Sequence, residues 1–284
     1  MAKVMRKYDT PRDFADRLVK KLQDSIAGVV RQEADDPLLL HILDDEQKGE
    51  LFRISLHNAY QSYMNSGNLE VASHYVDNII RTTQSAHRGG YDEVMLQLDL
   101  THVYPVLRDR AYVERAGGDV IYDDALPGMK MIYIESNEGF SKLVNRGALE
   151  FNPGVTEERV KWAAHHNLRS EGWISPKLSL PCPHKPSCTV DVYLDNPVPI
   201  ECQFLIPRRS QLHMPDHYLI SFPDRKTTLV MHTVEAMDTA EKAIRLAKES
   251  RFTDVVRRTF LVMGSPNSQN IYWSHRGEFT LLNI

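Results

Sequence analysis

Residues 119–136 read DVIYDDALPGMKMIYIES. Two apolar, tyrosine-bearing runs flank Pro127-Gly128, a pair that supplies a pre-set φ followed by a residue free to take positive φ. The spacing predicts an antiparallel hairpin of 119–124 and 129–135 joined at Pro127-Gly128. Upstream, THVYPVLRD (101–109) carries Pro105, which has no backbone N–H and so suits an edge strand or a bulge. Downstream, NPGVTEERVKWAAHHNLRS (152–170) reads as a helix capped by Thr156, with Val160, Ala164 and Leu168 facing inward. HYLISF and TTLVMH around PDRK predict a second hairpin, and RRTFLVMG and NIYWSHRGEFTLL read as closing strands. DTAEKAIRLAKES reads as a helix with an Asp238–Glu241 capping pattern.

Near the start, Thr10 caps a helix with Pro11 at its first position and Asp13 in a capping-box-like place; Phe14, Leu18 and Leu22 form its apolar face. SIAGVV and PLLLHIL read as short strands, followed by an acidic stretch with Asp44, Asp45 and Glu46. LHNAYQSYMNSG, stopped by Gly67, and NLEVASHYVDNIIRTT, capped by Asn68, read as a helical pair. Strands and helices mix without strict βαβ alternation, so the expected class is α+β, with mixed antiparallel hairpins and helices in a soluble globular chain. The expected division is an N-terminal α/β segment over 1–90 and an α+β core over 91–284. Between 172 and 215 stand eight prolines, which predict irregular structure broken by a strand in VPIECQFLIP.

The 284 residues carry a formal charge of −4, and basic pairs such as Arg208-Arg209 are isolated, so no electrostatic footprint for nucleic acid exists. No apolar run reaches the ~20 residues that span a bilayer. Three cysteines without a signal-like leader fit reduced thiols, and the expected location is the cytoplasm. There is no G-x-S-x-G, no phosphate-loop or dinucleotide glycine motif and no H-E-x-x-H.

The segment LPCPHKPSC (180–188), with Cys202 beyond it, offers Cys182, His184, Cys188 and Cys202 as a set of zinc donors. Their spacing, C-x-H-x3-C-x13-C, lacks the knuckle that bends a chain around zinc, so no metal and no cofactor is expected. A Cys182–Cys188 disulfide fits the spacing, though a reducing cytosol disfavours it. Cys202, alternating with Ile200 and Phe204 in the expected strand, can equally face the core as a small hydrophobe. His165 and His166 stand near a helix C-terminus, as acid–base groups or as partners of the terminal carbonyls. Arg108 and Arg169 each need an acidic or phosphate partner if they approach the core; Asp123, Asp124 and Glu135 are the nearby carboxylates. The expectation is that the two arginines lie close to each other or to a shared carboxylate.

The order VYPVLRD, VIYDD, MIYIESNEGFSKLVNRGALE and AAHHNLRS resembles the core of the YtpQ-like family of bacterial proteins. ISLHNAYQSYMNSG and HYLISFPDRKTTLVMH resemble further segments of it. The likeness covers about two-thirds of the chain, is strongest from Leu98 to Ser170, and lapses between Leu180 and Met214. The resemblance implies a bacterial protein of a family without assigned function, and marks Pro105, Arg108, Tyr122, Asp123, Asn167 and Arg169 as the matching positions. The expected function is a non-catalytic module binding a protein or small ligand, with Arg108, Asp123, His165, His166 and Arg169 as ligand- or anion-binding candidates. The competing expectation is a hydrolase or transferase with a dispersed Arg/Asp/His site.

Overall fold

A computed structural model describes residues 10–26, 28–43, 50–56, 59–60, 63–64, 69–70, 73, 76–77, 80, 97–116, 119–137, 140–182, 184–194, 199–206, 210, 212–262 and 267–284. Most of the expected helical pair, including Gly67 and Asn68, lies outside the described residues, as do Asp44, Asp45, Glu46 and Arg208-Arg209. The chain divides into two compact units: Met1–Gln97 with Asn137–Phe140, and Leu98–Ser136 with Ser141–Ile284.

In the first unit, α1 (Pro11–Gln23) starts as expected: Thr10 Oγ1 accepts the Asp13 N–H at 3.1 Å, with Pro11 in the first turn. Its Phe14, Leu18 and Leu22 are buried with Leu40, Ile42 and Ile54 of an antiparallel sheet, β1 (Val29–Gln32), β2 (Leu39–Leu43) and β3 (Glu50–Ser55). Gly28 enters β1 at φ +103°, where a Cβ would stand 2.4 Å from the Leu43 carbonyl oxygen, so only glycine fits.

The second unit holds two antiparallel sheets. One joins β4 (Val103–Asp109), β6 (Met129–Asn137) and β5 (Tyr122–Leu126) in that order, with β7 (Phe140–Leu143) pairing β6. The expected hairpin is present as β5–β6, turning at Pro127-Gly128 with Gly128 at φ +81°. β4 is an edge strand, as Pro105 requires: Leu107, two residues on, directs its N–H away from β6, so the missing N–H of Pro105 costs no ladder bond.

The other sheet runs β13 (Glu278–Leu281), β12 (Ile271–His275), β10 (His217–Asp224), β11 (Thr227–Thr233), β9 (Lys185–Leu194), β8 (Leu178–Cys182). One face meets the first sheet through Tyr193, Tyr218, Ile220, Phe222, Val230 and Tyr272, against Val103, Leu107, Met131 and Tyr133. The opposite face, with Leu219, Leu229, Met231 and Trp273, is covered by α5 (Ala240–Glu249) and α6 (Phe252–Val262). The class is α+β, with six helices α1–α6 among the described residues; α2 (Arg110–Ala116), α3 (Arg146–Phe151) and α4 (Glu157–Ser170) complete the set. No helix among the described residues is long and apolar enough to cross a membrane.

Four local expectations are corrected. Within the proline-rich stretch, β8 and β9 form a hairpin: Pro181 is on the edge strand, and Pro186 precedes the β9–β11 pairing that begins at Cys188. PIECQFLIP forms a 3-10 turn over Glu201–Leu205 instead of a strand. Of RRTFLVMG, residues 257–262 continue α6, which buries Phe252 and Val256 four residues apart and bonds its Thr259 hydroxyl to the Val255 carbonyl. The α5 cap is Thr239, accepting from Lys242 N, while Asp238 pairs with the Lys242 side chain at 2.6 Å.

Candidate functional site

α4 is fixed at both ends. Thr156 Oγ1 accepts the Arg159 N–H at 3.3 Å, and Glu157 and Glu158 sit in the first turn, where the helix dipole favours negative charge. At the far end Asn167 Nδ2 donates to the carbonyls of Leu100 (2.8 Å) and Val103 (2.9 Å), tying the last turn to the start of β4. Val160, Ala164 and Leu168 fill the core as expected. At 100° per residue the opposite face carries Trp162 at its centre, flanked by His166, Arg169 and His165. Trp162 is 69% exposed and stacks on His166 with rings 5.0 Å apart and 7° from parallel.

Asp123 and His165 are brought to the flank of this helix. Asp123 pairs in register with Met131, so it shares a sheet face with Tyr133. Its Oδ2 accepts the Tyr133 hydroxyl at 2.5 Å and its Oδ1 accepts Lys161 Nζ at 2.6 Å. Burial alone would raise the Asp123 pKa; the Lys161 and Tyr133 hydrogen bonds outweigh it and hold the carboxyl below its ordinary value. Tyr133 moves the other way, raised by burial and by its bond to Asp123. His165 meets the Tyr133 ring edge-on at 6.5 Å; burial, then Arg169, lower its pKa, against a weaker opposite pull from Asp123. The group is a carboxylate already answered by an ammonium and a phenol, with a neutral imidazole beside it.

Arg108 belongs elsewhere. Its register row, Arg108–Lys130–Asp124, lies on the sheet face opposite Asp123. The carboxylate near Arg108 is Glu201: Oε1 accepts Arg108 Nη1 at 3.3 Å and the Leu107 N–H at 3.2 Å. Asp124 instead pairs with Lys130, and Glu135 with Lys142 at 2.9 Å. Arg169, two residues past Asn167, stands at the Val103 end of β4; five residues of strand, about 17 Å, separate that end from Arg108. The two arginines do not share a site.

Glu201 completes the unpaired edge of β4 in place of a missing strand. Leu107 turns both its N–H and its carbonyl outward; Glu201 takes the former, while Arg108 Nη1 (2.6 Å) and Asn267 Nδ2 (3.3 Å) donate to the latter. Burial raises the Glu201 pKa, and Arg108 and backbone amides only partly offset it. Its one sequence signal is a lone carboxylate inside the apolar run PIECQF. Trp162 was legible too, since the pattern that buries Val160, Ala164 and Leu168 turns it outward.

The four zinc donors are not assembled. Cys182 and Cys188 lie in the core beneath α5 and α6, whereas Cys202 packs on the other side of the six-stranded sheet with Phe204 and Tyr133. His184 occupies the exposed β8–β9 turn. All three cysteines are buried free thiols. Among the described residues no group of three or more His, Cys, Asp or Glu side chains could hold a metal ion. His213 stacks on Trp173 at 4.9 Å, and His217 lies beside His275 at 4.6 Å.

In comparisons with known proteins, no family model, no curated protein and no solved structure matches the chain.

Proposed function

We propose that this chain is a non-catalytic binding module that presents the outer face of α4 to a protein partner. The observation that carries the reading is Trp162, a large aromatic side chain left 69% exposed at the centre of a helix face and stacked on His166. Tryptophan and arginine dominate the energetics of protein interfaces. Arg169 and the two imidazoles rim it, so the partner offers an apolar recess edged by carboxylates.

Support for binding over hydrolysis or group transfer comes from the groups such chemistry would need. Asp123 is engaged by Lys161 and Tyr133, Arg108 is paired with Glu201 on the other sheet face, and the thiols are buried. The bacterial cytosolic setting and kinship with the YtpQ-like family are parts of the same proposal; free thiols support the first, and the ordered motifs of β4 to α4 support the second.

The test places a photo-crosslinking amino acid at position 162 in the full chain, expressed in its native host. One discrete cross-linked protein is expected, lost when Arg169→Ala is added and absent when the probe replaces exposed Lys248 on α5. Labelling no stronger at 162 than at 248 would remove the reading.

A further inference from the structure

The β10–β11 hairpin turns through Arg225 and Lys226, and Asp224 Oδ1 accepts the Lys226 N–H at 2.9 Å to fix the turn. From this turn the Arg225 guanidinium lies over the Tyr112 ring, its carbon 4.8 Å from the centroid. Its Nε is buried with no hydrogen-bond acceptor. Among the described residues, no hydrogen bond or ion pair includes Arg225.

The charged groups around it are each engaged by something else. Arg108 is taken by Glu201; Asp109 Oδ1 takes the Tyr112 N–H at 2.5 Å; Asp224 closes the turn. Burial, then Arg108, push the Arg225 pKa down, while Tyr112, Asp109 and Asp224 pull it back. A ring face attracts a guanidinium but accepts none of its five N–H bonds in the way an oxyanion does. A half-buried guanidinium left in that condition is uncommon, because such groups are normally hydrogen-bonded to a counter-charge. The stack on Tyr112 and the short turn hold this one in place, and its terminal nitrogens reach solvent.

We propose that Arg225, laid on Tyr112 with Arg108 nearby, is the anchor of a binding site for a small carboxylate-bearing molecule. The planar fork of terminal N–H groups matches a carboxylate's two oxygens. A single negative charge balances the one unanswered guanidinium; a phosphate dianion would add a second charge beside Asp109 and Asp224. The site stands on the opposite side of β4's length from Arg169 and is independent of the α4 surface.

The guanidinium nitrogens report binding directly. Full-length protein with 15N-labelled arginine is titrated with acetate, and separately with inorganic phosphate, while the Arg225 Nε–Hε signal is followed. Acetate is expected to shift that signal saturably and to protect Arg225 from phenylglyoxal. Arg225→Lys, which keeps the charge and loses the fork, weakens acetate binding roughly tenfold, measured by calorimetry. Trp162→Ala leaves acetate binding unchanged, which separates this site from the proposed partner surface. An Arg225 signal indifferent to acetate overturns the proposal, as does equal affinity in Arg225→Lys. Tighter binding of phosphate than of acetate overturns the assignment to carboxylates.

Discussion

Replacing Glu201 separates the two things a buried carboxylate can contribute, an acceptor and a charge. The side chain is 6% exposed and serves two donors, the Leu107 N–H and Arg108. Glu201→Ala strands both. An orphaned buried amide costs about 1–3 kcal/mol, and a buried charge that loses its partner about 3–5 kcal/mol. These overlap, because Arg108 keeps the Leu107 carbonyl at 2.6 Å, so the expected total is about 4 kcal/mol. For a unit of this size that is a fall in Tm of roughly 8–16 °C. Glu201→Gln keeps an acceptor for Leu107 and discards the charge. Because burial opposes the ionised carboxyl and Arg108 offsets that only in part, the Gln variant, which keeps an acceptor for both donors, is expected to lose clearly less stability than the Ala variant.

The sign with pH follows. A raised folded-state pKa means that the native protein binds more protons than the unfolded chain above the ordinary value of 4.5, so this carboxyl weakens the fold as pH rises from there through its folded value. The Gln variant lacks that slope, and its stability relative to the parent should improve across the same window. Urea unfolding followed by circular dichroism at several pH values measures all three proteins. A Gln variant as damaged as the Ala variant would refute the reasoning, because the charge and not the acceptor would then matter.

Asp123→Asn should cost about 1 kcal/mol, since the Lys161 pair is partly solvated. Asp123 is held below its ordinary 3.8, so its contribution is present above that value and is lost as pH falls through the lower folded value; urea midpoints of parent and variant should converge in strong acid. Burial, then Cys188, push the Cys182 thiol from 9.0 up to about 11, leaving roughly a hundredfold less thiolate at pH 8 than in the unshifted thiol. Ellman's reagent should therefore label Cys182 rapidly only in denaturant, and fast labelling of the native protein would contradict its burial. Gly128→Ala forces φ +81° on a side chain whose Cβ would stand 3.0 Å from Asn270 Nδ2, an expected loss of about 1–2 kcal/mol in thermal unfolding. No change in Tm would mean the turn relaxes freely.

Local chemistry alone determined a good part of this protein. Pro127-Gly128 between two alternating runs dictates the β5–β6 hairpin, Thr10 and Thr156 dictate where α1 and α4 begin, and a four-residue repeat dictates which face of α4 is buried. These are short-range effects: a turn, a cap and a periodicity act within one or two turns of chain. The tertiary structure decided the rest. The stretch 257–262 is apolar enough for strand or helix, and it is helical as the continuation of α6, which Phe252 and Val256 anchor against the six-stranded sheet. Pro181 and Pro186 of LPCPHKPSC would break a strand only where a ladder bond is needed; Pro181 lies on an edge strand and Pro186 precedes the β9–β11 pairing. Arg108 had carboxylates close in sequence, yet it pairs with Glu201, 93 residues on, because β4 ends a sheet and its outward Leu107 N–H needs an acceptor there. Which strand lies at an edge is settled by the whole sheet, and no local pattern around Arg108 or Arg225 encodes what stands beside it.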